Sequence, residues 1–288
     1  WQSAATRANV ATLRKRGIEV TEPASGPLAG ADTGPGRMVE PEAIAAVVLE
    51  RASRGTRAHS ASSTGARECL AGRRVVVSAG GTREPIDPVR YVANRSSGRQ
   101  GIAIAEVALA RGAEVRLVAA NVALGAPAGV ERVDVETAGD LHEAMMNAAR
   151  WADIVVMAAA VADFTPADPA SAKISRRGRG EMTLRLVPTR DVLADLIAAR
   201  RDGQIVVGFA AETGDDAAGV LARGQAKARA KGADLTVVND VSGGRAFGAP
   251  TNEVRILDRA GDVVGSASGP KLTVAEAIMA AVGTLTGE

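Results

Sequence analysis

Between Ser78 and Gly101 the chain reads Ser-Ala-Gly-Gly-Thr-Arg-Glu-Pro-Ile-Asp-Pro-Val-Arg-Tyr-Val-Ala-Asn-Arg-Ser-Ser-Gly-Arg-Gln-Gly. Two glycines directly after an apolar burst permit a tight turn. Ser96, Ser97 and Gly98 stand just ahead of a helical period, where hydroxyls and unpaired backbone N–H groups meet the positive end of a helix dipole. Such an end favours an anion. A long capped turn is the ordinary alternative. More than 20 residues separate the burst ending at Ala79 from the helix expected near Ile102, and long loops in compact domains commonly carry function.

Other residues are placed for the same chemistry. Lys227 and Lys231 lie four apart on one helical face, where like charges cost about 0.2–0.5 kcal/mol. A polyphosphate between them reverses that sign; a solvated face tolerates it. Asp163 follows the apolar run Ile154–Val161 directly, either facing a cleft or capping a turn. Lys173 stands in a Pro/Ala/Ser-rich stretch with Arg176, Arg177 and Arg179 behind it, a pattern shared with plain solvated loops.

Much is excluded. A single cysteine, Cys69, gives no intrachain disulfide framework or cysteine metal cluster. Two histidines, His59 and His142, make a histidine metal site unexpected. Lys and Arg number 35 against 33 acidic residues, and aromatics are 2% of the chain, leaving little for base stacking. No nucleic-acid partner is expected. The run Ile154–Val161 is far below the roughly 20 residues of a membrane helix. With Trp-Gln-Ser-Ala at its start, the chain shows no secretory signal, and cytoplasmic localisation is expected.

The elements that must position these residues fall in three zones across 288 residues. Residues 1–51 predict a helix over 4–16, a Pro/Gly-rich loop without hydrophobic period, and a helix from Pro41 to Arg51. Residues 52–72 read by composition as a flexible linker containing His59. From Arg73 onward, Val/Ile-rich bursts (75–79, 115–119, 154–159, 205–210, 235–238) alternate with helical periods (102–111, 138–149, 192–199, 217–231). That alternation predicts an α/β fold with a doubly wound, mostly parallel, Rossmann-like sheet. Val254–Leu257 and Val263–Val264, flanking Asp258–Asp262, add a C-terminal β-hairpin extension before a last helix over 274–285.

A dinucleotide-dependent oxidoreductase is the first rival. The glycine spacing is not G-x-G-x-x-G, the second strand ends Ala119-Ala120-Asn121 without a ribose-binding acid, and Tyr91 has Arg95 rather than Lys four residues on. A non-catalytic subunit that keeps the fold as an assembly module is the other.

The segment from Gly80 to Gly101 resembles the signature of bacterial phosphopantothenate–cysteine ligases. The similarity continues through Ala158–Asp163, Lys173-Ile174, Pro188–Asp191, Val207–Thr213 and Val238–Asp240, covering about residues 73–286 in order. Residues 1–51 resemble the C-terminal end of the partner decarboxylase domain, so 73–288 would be the ligase domain. The resemblance implies a two-step ligation. CTP activates the carboxylate of 4′-phosphopantothenate as an acyl-cytidylate with loss of pyrophosphate, and the amine of L-cysteine then displaces CMP.

It also implies roles. Asn94 would hold the acyl-cytidylate, Arg90 would serve the second half-reaction, and Lys173, on a mobile flap, would stabilise phosphate charge. Ala159, Ala160, Asp163, Lys173, Arg190, Asp191, Val192, Leu193, Phe209, Lys227 and Lys231 would contact nucleotide. Ser96, Ser97 and Gly98 would cradle the substrate phosphate. Each has an ordinary counterpart: an Asx-turn for Asn94, a surface ion pair for Arg90, core packing for Phe209. Mg²⁺ or Mn²⁺ is the expected cofactor, with CTP as substrate and FMN belonging only to the decarboxylase part. A homodimer is expected.

Three departures stand out. Arg190 replaces a frequent Pro, the stretch from Phe209 to Lys227 is longer and glycine-bearing, and Leu28–Asp32 lacks the decarboxylase cysteine. No decarboxylase activity is expected from this sequence.

Overall fold

The structure is a computed structural model that describes residues 1, 3–15, 20–27, 33–41, 44, 70–175, 180–213, 219–241 and 250–287. It divides into two compact units, residues 1–64 and 65–288. Cys69, His59 and Arg176, Arg177 and Arg179 lie outside the described residues, as do nearly all of the linker and of the helix expected after Pro41.

In the first unit, α1 (Ala4–Lys15) starts where the Thr6 amide donates to Ser3 Oγ at 3.1 Å, and it buries no residue. The stretch read as a loop without period instead forms an antiparallel pair, β1 (Ala24–Pro27) with β2 (Thr33–Arg37). Glycine and proline dominate both strands, so no alternation marks them.

The second unit opens with β3 (Arg74–Gly80), the short hairpin arms β4 (Arg83–Pro85) and β5 (Tyr91–Ala93), and α2 (Arg99–Ala110). It continues through β6 (Glu114–Ala120), β7 (Glu131–Val135), α3 (Ala138–Trp151) and β8 (Ile154–Met157). A second small hairpin follows, β9 (Phe164–Pro166) with β10 (Leu186–Pro188), and then α4 (Val192–Ala198). Next come β11 (Ile205–Glu212), α5 (Val220–Lys231), β12 (Leu235–Asp240), β13 (Thr251–Asp258), β14 (Val263–Pro270) and α6 (Lys271–Leu285). Leu70, assigned by composition to the linker, is fully buried and its amide donates to Arg111 O at 3.1 Å. The packed unit therefore begins before Arg73.

The main sheet runs β14-β13-β12-β11-β8-β3-β6-β7. The strands from β12 to β7 are parallel, and β13 and β14 are the antiparallel extension. Numbering the parallel strands along the chain gives 3-2-1-4-5-6, the Rossmann order, which reverses between β3 and β8. The predicted doubly wound α/β fold with its hairpin extension is the observed one. β7 was not foreseen, because its Glu-Arg-Val-Asp-Val carries little apolar signal at the exposed sheet edge.

Alternation along the strands explains the layering. Val75, Val77 and Val207 face α2 and α6, burying Ile104, Ile278 and Met279; Val76, Val155 and Val206 face α3 and α4, burying Leu141, Met145 and Leu196. Ala210 and Val238, on the α3 and α4 face, meet Ala228 of α5. Helices therefore cover both faces, and the two helix sets approach the same carboxyl edge from opposite sides.

Close approach of α2 to β3 requires glycine at position 101, where a Cβ would stand 2.6 Å from Ala79 Cβ and 2.8 Å from Ser78 O. Gly101→Val should cost about 1–3 kcal/mol through overpacking. Urea denaturation is the check, and an unchanged midpoint would show that α2 moves off the strand at no cost.

Candidate functional site

The switch point is stitched together by hydroxyls and backbone. Ser78 and Thr82 are fully buried. The Ala159 amide donates to Ser78 Oγ at 3.1 Å and the Ala162 amide to Thr82 Oγ1 at 2.9 Å. Thr189 Oγ1 donates to Ala162 O at 2.6 Å, and the Ala160 amide to Gly80 O at 2.8 Å. The turn over 158–162 is thus fixed against the first strand, and Asn94 Nδ2 reaches across it to donate to Val161 O at 2.7 Å. A carboxamide has a second N–H and an oxygen to offer, and Asn94 is exposed at the cleft.

The loop between β3 and α2 is shorter than expected, because β3 runs to Gly80 and α2 starts at Arg99. Hairpin β4–β5 fills part of it. Gly98, at φ 75°, caps α2, and its amide donates to Ser96 Oγ at 3.3 Å.

These elements border a cleft of about 480 Å³ at the carboxyl ends of the parallel strands. Asn94, Ser96, Ser97, Gly98, Ala159, Ala160, Asp163, Arg190, Asp191, Val192, Leu193, Phe209, Lys227 and Lys231 all line it. Sequence reasoning missed Arg95, Arg99, Gln100, Asn239, Asn252 and Lys271. The signal that could have found them was chain continuity for 95, 99 and 100, and the hairpin's return to the sheet for 252 and 271. Six cationic side chains line the cleft against two carboxylates, a surplus suited to an anionic ligand.

Lys227 and Lys231 are paired rather than bare. Lys227 Nζ bonds Glu212 Oε1 at 3.1 Å, and Lys231 Nζ is ion-paired with Asp191, which caps α4 by accepting from the Ala194 amide at 3.1 Å. Partial burial of the Asp191 carboxyl opposes its ionisation, but Lys231, the Ala194 amide and Lys227 outweigh that and hold it below the ordinary carboxylate range. The repulsion expected between the lysines is relieved by these two carboxylates.

Arg90 and Lys173 do not line the cleft. Arg90 Nη1 pairs with Asp87 Oδ2 at 2.6 Å and donates to Ile174 O at 3.2 Å. Asp87, buried, also accepts from the amides of Val89 and Arg90 at 2.8 Å and of Ile174 at 3.1 Å. This knot ties the segment beside Lys173 to the 86–90 loop. Arg90 is a tether here, with the Lys173 segment as what it holds.

No residue between 121 and 136 lines the cleft, which opens over β8, β11 and β12. Asn121, at φ 53°, spends its amide on Gly81 O and Glu136 O, both at 2.9 Å. At the end of β6, where a dinucleotide-binding strand would present an acid to the ribose, stands an asparagine whose amide is already engaged, which weighs against the oxidoreductase reading.

Sheet order and cleft together define a Rossmann-like α/β domain with a cation-lined cleft at its switch point. The chain belongs to the family described as DNA/pantothenate metabolism flavoprotein C-terminal domain, which matches residues 70–285. It is 48% identical over 293 residues to the coenzyme A biosynthesis bifunctional protein CoaBC of Mycobacterium tuberculosis, covering 99% of this chain and 68% of that protein. The protein of the same name from Mycolicibacterium smegmatis is 46% identical over 288 residues, covering 97% and 67%. A crystal structure of the C-terminal domain of a CoaBC protein superposes with a TM-score of 0.61 at 34% identity, covering 76% of this chain and 98% of that one. Among the described residues, no helix is long and apolar enough to cross a membrane.

Asp87 gives a pH test. Burial opposes its charge, but the amides of Val89, Ile174 and Arg90 and then the Arg90 cation hold its carboxyl below the usual range. Its stabilisation is complete above the unfolded value of about 3.9 and disappears as pH falls through the lower folded value. Asp87→Asn should be less stable than wild type at neutral pH, with the gap closing in acid. Urea curves at several pH values read this, and a constant gap would refute it.

Proposed function

We propose that this chain acts in coenzyme A biosynthesis by ligating 4′-phosphopantothenate to L-cysteine at the expense of CTP. The observation that carries the proposal is the gathering of Asn94, Ser96–Gly98, Asp191, Lys227 and Lys231 around one cleft in a chain whose relatives bear coenzyme A biosynthesis names. The substrate carboxylate attacks the α-phosphorus of CTP, the α–β phosphoanhydride breaks, and pyrophosphate leaves. The cysteine amine then attacks the acyl carbon, CMP departs with the bonding pair, and the amine loses its proton.

The protein's share is positioning and charge neutralisation. Lys227 and Lys231 exchange their carboxylate partners for the triphosphate. Asn94 turns its free N–H toward the oxyanion that develops at the acyl carbon, and the small side chains of Ala159 and Ala160 let that carbon approach the backbone. Phe209, Val192 and Leu193 offer apolar wall to the nucleoside. Arg90, through Ile174, sets the segment from which Lys173 closes on phosphate.

Mg²⁺ supplies charge shielding for the triphosphate. Among the described residues no cluster of three His, Cys, Asp or Glu side chains forms a metal site. This suits an ion that arrives on the nucleotide and needs only one or two carboxylates, for which Asp163 and Asp191 line the cleft. FMN and decarboxylation are assigned to no residue described here.

A homodimer fits the two small hairpins, which lie against each other. Val89 is 59% exposed, Phe164 51% and Tyr91 49%, an apolar surface suited to a second copy.

Two outcomes test these readings. With phosphopantothenate, cysteine, CTP and Mg²⁺, wild type should release pyrophosphate and Asn94→Asp should lose turnover with an unchanged melting curve; a silent, folded wild type would sink the assignment. In sedimentation, wild type should run as a dimer and Phe164→Asp as a monomer, and a monomeric wild type would refute the dimer.

A further inference from the structure

One buried titratable side chain, His142, lines no part of the cleft yet touches an element that does. It lies on the buried face of α3 with Leu141 and Met145. Its Nε2 is 2.9 Å from Asp195 Oδ2, in the first turn of α4. An ionised carboxylate only accepts, so the ring nitrogen is the donor. Burying a polar ring costs stability unless it is bonded, and this bond crosses from one helix to the other.

The short helix needs such a contact. α4 has seven residues, fewer than the roughly 12–15 that a helix needs to stand alone in water. Val192 and Leu196 are buried with Leu141, Met145 and Val206. Leu193 lies down on β11, where a Cβ at Gly208 would stand 2.7 Å from Leu193 Cδ2. Apolar burial is non-directional, so it sets the depth of α4 but not its register along α3. A hydrogen bond is directional, and the His142–Asp195 bond supplies that register.

The cleft residues at the start of α4 are held between two polar anchors. On one side Thr189 donates through Oγ1 to Ala162 O at 2.6 Å and through its amide to Asp163 O at 2.9 Å. On the other stands Asp195, whose amide donates to Asp191 O at 3.0 Å and closes the first turn. Asp191, Val192 and Leu193 lie between the anchors and line the cleft. The Asp191 carboxylate also pairs with Lys231, so a shift of this turn would carry the partner of that lysine with it.

We infer that His142, acting through Asp195, is a positioning residue for the nucleotide. It sets the first turn of α4 so that Asp191, Val192 and Leu193 meet CTP in one register, an inference that rests on the ligase reading above. A histidine that only packed α3 would alter stability and affect both substrates alike. One that positions this turn affects the nucleotide alone.

The test is calorimetric titration of CTP and of phosphopantothenate into wild type, His142→Leu, His142→Gln, Asp195→Ala and the His142→Leu/Asp195→Ala double variant. Losing a contact that acts on the ligand through packed neighbours predicts a CTP Kd about threefold to tenfold higher in His142→Leu. The phosphopantothenate Kd should not change. His142→Gln, whose amide can still donate to the carboxylate, should recover most of the loss. Because the two side chains act as one unit, Asp195→Ala should match His142→Leu, and the double variant should lose no more than either. Should His142→Leu fail to fold, Asp195→Ala alone decides, since its side chain is 48% exposed and its removal leaves the core intact. An unchanged CTP Kd in Asp195→Ala, an equal loss for phosphopantothenate, or additive losses overturn the inference, as does a wild type that does not bind CTP. Pyrophosphate release separates the two claims. An active wild type whose Asp195→Ala variant keeps the same KM for CTP retains the ligase and discards the positioning role, whereas an inactive wild type that shows the Kd pattern does the reverse.

Discussion

Everything at the cleft depends on two buried hydroxyls. Ser78 and Thr82 flank the glycine pair at the end of the first parallel strand, and each accepts from an amide of the turn that leaves β8. A buried hydroxyl left unpaired costs on the order of 1–3 kcal/mol, so strand end and turn are coupled: neither can shift without exposing or orphaning the other. The strand order reverses at this point, which opens the cleft. The hydroxyl pairs keep its floor rigid enough for the Asn94 carboxamide to be aimed across it.

Above that floor the walls are built differently. On the α4–α5 side each lysine faces a carboxylate. The α2–α6 side is held by amide hydrogen bonds through Gln100, and among the described residues no carboxylate pairs with Arg99 or Lys271 there. The hairpin that carries Asn252 converts an edge strand into an internal one, and the same peptide stretch returns Lys271 to the strand ends. The β4–β5 and β9–β10 hairpins lie beyond the main sheet, and the Asp87–Arg90 knot joins the first of them to the segment around Lys173.

Much of this was legible in the sequence because it rests on periodicity. The parallel strands are runs of Val and Ile bounded by helical periods, and both the fold class and the C-terminal hairpin follow from that alternation. β7 was not legible, since an exposed edge strand needs no apolar side; nor were the three-residue arms, which hold register through backbone pairing. Most of the residues the resemblance placed at the site do line the cleft, because strand ends and the long loop converge at the switch point. Arg90 shows the limit: its spacing from Asn94 is visible in the chain, but its partner Ile174 lies 84 residues away. Gln100 and Lys271 were hidden for the same reason, being joined by a hydrogen bond between two helices far apart in the chain.

The counter-ions already seated on Lys227 and Lys231 have a consequence for selectivity. A visitor bearing one negative charge would offer Lys231 nothing that Asp191 does not already supply, and would have to be desolvated besides. Only a group with higher charge density than a carboxylate gains from the exchange, and displacing two built-in partners at once calls for adjacent anionic centres on one molecule. On the ligase reading those internal ion pairs would serve as a valence filter, favouring a triphosphate over monoanions.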